Sequence, residues 1–220
     1  MSKATGIWAI LPIKSLHCAK QRLRKLLTAE QRRSLMLSST EDVLKALNKS
    51  EQLYGILLIS KDSAALALGH EYGAEVLVPT SDEGQSDAIN RAVEFLRARD
   101  VAATITIPGD APLLTADDID SVCATLQSRP SLTLVSNLDG TGSNCIAASP
   151  PDLIRYQFGH DSFTRHQSAA RDAGVALAVL NLPRLELDID TEADIEALLR
   201  HRPRTATQHF LLAAGFGAGR

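Results

Sequence analysis

Short apolar runs recur along the chain at 6–13 (GIWAILPI), 55–60 (GILLIS), 75–78 (EVLV), 103–107 (ATITI), 132–136 (LTLVS), 144–148 (NCIAA) and 176–181 (ALAVLN), and each reads as a β-strand. Most are continuous rather than alternating, the pattern of parallel strands covered on both faces. Stretches with helical spacing lie between them. Thr28 with Gln31 forms a capping box that opens a helix over 29–47. Thr115 with Asp118 and Thr191 with Asp194 repeat that signal, and Gly73 and Gly174 stand where helix C-caps belong. This alternation predicts an open α/β sheet with helices on both sides. Segments 130–150 and 176–190 carry several strands with one helix, so the second half of the sheet is expected to be mixed. The expected plan is a single domain over 1–201 followed by a flexible tail over 202–220. The tail has Pro203 and three late glycines; its FLLAA stretch is, as an alternative, a cover for a neighbouring subunit.

Composition narrows the function. Apolar residues make up 45% of the 220, enough for a substantial core, and aromatics only 4%, so that core is built from Leu, Ile, Val and Ala. A net charge of −3 argues against a general nucleic-acid binder. Yet Lys14 to Arg33 holds seven Lys or Arg against one acid, Glu30, a local patch suited to a small anionic ligand. For Arg32 and Arg33 a solvated helix face is the expected role. Cys18, Cys123 and Cys145 are scattered, with no CxxC pair, which fits a reducing compartment and no structural zinc. The N-terminal apolar run is too short for a signal peptide, and no segment approaches a membrane span, so a soluble cytoplasmic protein is expected.

The candidate chemistry sits at strand ends, where open α/β sheets bind ligands. In TITIPGDAPLL the strand 103–107 is followed by Asp110, and Thr115 already takes the helix-cap position. A carboxylate at a strand tip is a hard oxygen donor suited to Mg²⁺. In LELDIDTEADI, alternation puts Asp188 and Asp190 on one face of an extended segment. Asp190 precedes Thr191, so capping the next helix is an equal alternative for it. Two remote carboxylates meeting at one edge can clamp Mg²⁺ on a nucleoside triphosphate. Lys14 leaves the first strand at the same end of the sheet, with Lys20 and Arg22 spaced to bend back over a polyphosphate, while Arg24 and Lys25 face solvent. There is no GxxxxGK[ST] and no GxGxxG, so cations must do what glycine amides do in those folds. The loop DGTGSN offers backbone N–H groups and the hydroxyls of Thr141 and Ser143 as an anion nest, or is an ordinary hairpin turn. FGHDSFTRH sets Gly159 and Ser162 at a helix start, where an anion is held or Ser162 merely caps. His160 and His166 lack paired ligand spacing and are expected at the surface. In EGQSDAINRAV, Gly84 permits close backbone approach and Asn90 can bond a base or ribose.

Together PIKSLHCAKQRL, GDAPLL, the GTG-containing loop, FGHDS and LDIDTEADI resemble the 2-phospholactate guanylyltransferase family of coenzyme F-420 biosynthesis, over nearly the whole chain to about residue 200. The glycine-rich LxGGxSxRMG stretch of sugar-nucleotide and molybdenum-cofactor nucleotidyltransferases is absent. The resemblance implies a three-layer αβα, Rossmann-like GT-A nucleotidyltransferase fold with a mostly parallel mixed sheet. It makes Asp110 and Asp188 Mg²⁺ ligands, Lys14 a phosphate contact, and Ser143, Gly159 and Ser162 the holders of a three-carbon phospho-acid. The family more often has threonine at position 143, and serine keeps the hydroxyl. The implied reaction joins GMP from GTP to 2-phospholactate, phosphoenolpyruvate or 3-phosphoglycerate and releases pyrophosphate, in a homodimer. In-line attack by the substrate phosphate, already an anion and needing no general base, is the mechanism expected for it. The alternatives are a nucleotidyltransferase of the same fold with a molybdenum-cofactor or sugar-phosphate acceptor, and a noncatalytic nucleotide-binding protein.

Overall fold

The computed structural model describes residues 6–14, 16, 19–79 and 84–217. In chain order the strands are β1 (Ile7–Pro12), β2 (Leu53–Ile59), β3 (Glu75–Leu77), β4 (Ala103–Thr106), β5 (Ser131–Ser136), β6 (Ser143–Ser149) and β7 (Ala176–Val179). The helices are α1 (Ala29–Lys49), α2 (Ser63–Glu71), α3 (Gln85–Arg97), α4 (Ala116–Ala124), α5 (Ser162–Asp172), α6 (Pro183–Glu186), α7 (Glu192–Arg200) and α8 (Ala206–Ala213). All seven expected strands are present. So are the capping boxes at Thr28, Thr115 and Thr191, and left-handed Gly73 and Gly174 beyond α2 and α5.

One sheet runs in the order β3-β2-β1-β4-β6-β5-β7. β1 pairs in parallel with both β2 and β4, and β6 alone runs antiparallel, between β4 and β5. Side chains alternate between its faces. Ala9, Leu11, Ile105 and Ile107 pack with Met36, Val43 and Leu47 of α1 and Ile119 of α4. Trp8, Ile10, Leu57 and Ile59 pack on the other face with Ile89, Ala92 and Leu96 of α3. The result is the three-layer arrangement expected, built almost wholly from aliphatic side chains. Among the described residues no helix is long and apolar enough to cross a membrane.

Two features position the site. The chain order reverses between β1 and β4, which opens a crevice at the carboxyl ends of those strands. Because β6 is antiparallel, its beginning, Ser143 and Asn144, lies at the edge where β1 and β4 end.

The C-terminal tail departs from expectation. Thr205 and Gln208 form a fourth capping box, and Thr207, Gln208 and Leu211 are fully buried. Asp42 of α1 accepts from the N–H groups of Ala206 and Thr207, at 3.0 and 2.9 Å, and from the Thr207 hydroxyl. The FLLAA stretch thus covers this chain's own α1 and α7 instead of hanging free. Arg32 is also not a solvated residue. It is buried, and its guanidinium donates to the carbonyls of Ala19 and Leu27, bracketing the segment that carries Lys20.

Candidate active site

A cleft of about 640 Å³ opens along that edge, within the range that encloses a small-molecule ligand. The ends of β1, β2 and β4, the start of β6 and the first turns of α3 and α5 line it.

One wall is acidic. Gly109 lets the turn after β4 close onto β1, since a Cβ there would lie 2.2 Å from Ile13 Cδ1. Asp110 follows, and its carbonyl accepts from Ile189 N–H at 3.2 Å. That bond moors the segment 187–190 beside it. Leu187 and Ile189 turn into the core, so Asp188 and Asp190 point to the cleft, as the alternation predicts. Oxygens of Asp110, Asp188 and Asp190 all lie within 4.8 Å of one another, a donor set that fits a hard divalent cation. Lys20, in a left-handed conformation at φ 52°, reaches into the same cluster. Its ammonium donates to Asp110 Oδ2 at 2.5 Å and to Asp190 Oδ1 at 2.8 Å. Burial works against that charge, yet the two carboxylates keep it protonated. Burial also raises Asp190, but Lys20, with Arg22 and Lys14 beyond, outweighs it and holds the carboxyl below its ordinary range. Asp188 has no such partner. Burial, and then the charges of Asp110 and Asp190, push it up to about 6, although Asn144 donates to it at 3.3 Å.

The opposite wall is neutral. Ser143 N–H donates to Ser162 Oγ at 3.0 Å, and Ser143 Oγ lies 2.9 Å from His166 Nδ1. Gly159 sits at φ +110°, open only to glycine, and Asp161 is the left-handed N-cap of α5. Ser162 is therefore the first helical residue, not the cap. Two of the N-terminal donors of α5 are already engaged: Ser162 N–H bonds the Gly159 carbonyl and Phe163 N–H bonds the Thr141 carbonyl. Ser143 and Ser162 both line the cleft.

Other expected residues land differently. Lys14 is exposed on the rim of the cleft and Arg22 is outside it, 3.8 Å from Asp190. Lys20 binds carboxylates where a polyphosphate contact was expected. The DGTGSN loop is a hairpin turn, not a nest: Gly140, Thr141 and Gly142 N–H groups bond Asn137 O, Asp139 Oδ1 and Asn137 Oδ1. Thr141 is exposed, does not line the cleft, and gives its hydroxyl to Asp139. Gly84 is the exposed N-cap of α3, and Gln85 lines the cleft in its place. Asn90 faces away, its amide clamped to both backbone groups of Tyr156 at 2.9 and 3.0 Å, so no base or ribose contact is open to it. His166 is buried, not at the surface, whereas His160 is exposed as expected. Asp190 does not cap α7, because Thr191 and Asp194 do so reciprocally. Cys123 and Cys145 are free and buried, the first pushed up to about 12 by desolvation; Cys18 lies outside the described residues.

Asn144 is a residue that the sequence reading does not single out, and His166 is one that it places at the surface instead of in the core. Asn144 stands next to a named residue and ties β6 to the acidic segment through the carbonyls of Leu185 and Glu186. His166 falls one helical turn after Ser162 and one before Ala170, a buried i, i+4 stripe visible in the spacing.

Comparison with known proteins accords with this geometry. A phosphoenolpyruvate guanylyltransferase of Sphaerobacter thermophilus is 35% identical over 195 residues, covering 89% of this chain and 93% of that one. A 3-phospho-D-glycerate guanylyltransferase of Colwellia psychrerythraea is 30% identical over 189 residues, covering 86% and 89%. Among solved structures, a candidate nucleotide-diphospho-sugar transferase of Desulfovibrio desulfuricans superposes with a TM-score of 0.77 at 15% identity, covering 97% and 95% of the two chains. A nucleotidyl transferase of Methanothermobacter gives 0.66 at 15%, covering 94% and 99%, so the fold is that of GT-A-like nucleotidyltransferases. The family model described as guanylyl transferase, CofC like, matches residues 7–218, and the chain belongs to that family of nucleotidyltransferase enzymes.

Proposed function

We propose that the protein transfers GMP from GTP to the phosphate of a phosphorylated three-carbon carboxylic acid (phosphoenolpyruvate, 3-phosphoglycerate or 2-phospholactate) and releases pyrophosphate, in the synthesis of coenzyme F-420. The observation that carries this reading is the meeting of Asp110, Asp188 and Asp190 opposite Ser143 and Ser162 across one cleft. Relatives named for phosphoenolpyruvate and 3-phosphoglycerate support the acceptor class.

The chemistry needs no base. A phosphate oxygen of the acid, already an anion, attacks the α-phosphorus of GTP; the bond to the β-phosphate oxygen breaks, and pyrophosphate leaves with the electron pair. The barrier is repulsion between two polyanions. Asp110, Asp188 and Asp190 would hold Mg²⁺, which supplies charge neutralisation at the transferring phosphorus. Lys20 fixes Asp110 and Asp190 in place, and Lys14, exposed on the rim of the cleft, would contact phosphate. Ser143 and Ser162, with glycine at 159 allowing close approach, would hold the acid as neutral donors. A cytoplasmic homodimer fits this reading.

The test is to incubate the purified protein and Mg²⁺ with GTP or CTP and each acid, following pyrophosphate and product mass and coupling to the next biosynthetic enzyme if the product decays. The expected result is release with GTP and at least one of the three acids. Equal turnover with CTP, or none with any of these acids, overturns the reading.

A further inference from the structure

We propose that His166 is a positioning residue that turns the Ser143 hydroxyl proton toward the anionic end of the acid substrate; this rests on the acceptor class proposed above.

The inference follows from which ring nitrogen carries the proton. His166 Nε2 accepts from Gln157 N–H at 2.9 Å, so Nε2 holds a lone pair and no hydrogen. A neutral imidazole has one N–H, which must then be on Nδ1. Nδ1 is 2.9 Å from Ser143 Oγ, so the serine oxygen accepts, and its own proton is directed elsewhere. A charged ring would present a proton to the Gln157 N–H. Burial, with Arg165 nearby, holds the ring neutral by pulling it down to about 4. The ring itself is 1% exposed, and Phe158 packs edge-on at 5.4 Å, so it cannot flip out to exchange partners.

The same logic runs one step further along the wall. Ser143 N–H occupies a lone pair of Ser162 Oγ, which leaves the Ser162 proton free as well. Both serines line the cleft, each with an oxygen already accepting from a buried donor. The pair thus presents two hydroxyl protons and no net charge, a surface matched to a phosphate or carboxylate oxygen. It adds no cation to a site whose other wall already gathers one. A serine without its histidine could rotate and offer a lone pair to the substrate instead, which an anion repels. His166 sets the sense of the hydrogen bond without touching substrate.

Three variants separate positioning from mere support. His166→Leu removes both contacts. His166→Asn places an amide nitrogen near the Nδ1 position and keeps the donor to Ser143; His166→Gln places an amide oxygen near the Nε2 position and keeps the acceptor for Gln157. The expected outcome is an acid KM raised about ten- to hundredfold in His166→Leu, with the GTP KM unchanged. Asn restores the acid KM and Gln does not. In a Ser143→Ala background, His166→Leu costs the acid KM nothing further. Rescue by Gln but not Asn, or losses that simply add, overturns the proposal. Should the variants not fold, nitrogen NMR of the wild-type ring decides: a proton on Nδ1 is expected, and one on Nε2 overturns it. That readout stands even if the wild type turns over none of the three acids, an outcome that would sink the proposed reaction instead.

Discussion

On one wall of the cleft Asp110, Asp188 and Asp190 cluster, the first and last on a single ammonium; on the other Ser143, Ser162 and His166 are buried, neutral and linked by hydrogen bonds. Both walls stand at the same sheet edge, yet their electrostatics differ in kind. Lys20 satisfies Asp110 and Asp190 and leaves Asp188 uncompensated, with its carboxyl pushed up to about 6 by burial and its neighbours. The acidic wall is incomplete without another positive charge. The neutral wall is complete within the protein, with Ser162, Ser143, His166 and Gln157 bonded in sequence. If the proposed reaction holds, the difference teaches how one site would handle two polyanions: charge is gathered at the carboxylates, and orientation is supplied by the neutral hydroxyls.

The largest effect should come from breaking the acidic wall. Asp110→Asn and Asp188→Asn are each expected to lower kcat by about a thousandfold or more, the size of a lost transition-state electrostatic contact, with circular dichroism showing both folded. Breaking the neutral wall should do less and do it differently. Ser143→Ala is expected to raise the acid KM by about ten- to hundredfold, leaving the GTP KM and the Mg²⁺ dependence unchanged in initial-rate measurements.

Stability should then move opposite to activity on the acidic wall. The folded Asp188 carboxyl holds its proton up to about 6, whereas the unfolded one releases it near 3.8. The folded state therefore binds more protons between those values, and metal-free stability falls as pH rises through that window. Above it the ionised carboxylate is a net cost, so at pH 8 metal-free Asp188→Asn is expected to be roughly 1–2 kcal/mol more stable than wild type in urea denaturation. A destabilised Asp188→Asn would show that the two walls are not the contrast described. The smallest effect is on pH dependence. Divalent-ion affinity should fall as pH drops below about 6, by at most about tenfold per pH unit for one titrating ligand, and that dependence should vanish in Asp188→Asn.

The sequence makes the sheet and the acidic wall legible because both rest on short-range patterns. Continuous apolar runs mark each strand. The alternation of Leu187, Asp188, Ile189 and Asp190 needs only period two to separate core from cleft. Lys20 is legible as a cation but not in its role, since its partners Asp110 and Asp190 lie 90 and 170 residues along the chain. Asn90 shows the same limit: its partner, Tyr156, lies 66 residues away. The tail was misjudged for a different reason. Thr205–Gln208 is the same box as Thr28–Gln31, a local helix-start signal that outweighs the glycines farther on. For His166 the lack of paired ligand spacing points to the surface, whereas the stripe of Ser162, His166 and Ala170 sets it in the core.

The most direct measurement titrates Mn²⁺ into the protein without nucleotide at neutral pH and follows loss of the free-ion EPR signal, because GTP would bind the ion by itself. The wild type is expected to take up Mn²⁺ through Asp110, Asp188 and Asp190, and the Asp110→Asn, Asp188→Asn double variant is expected to leave the signal of the free ion. Equal uptake by both proteins would mean that the ion is held elsewhere, and would contradict a shared carboxylate site.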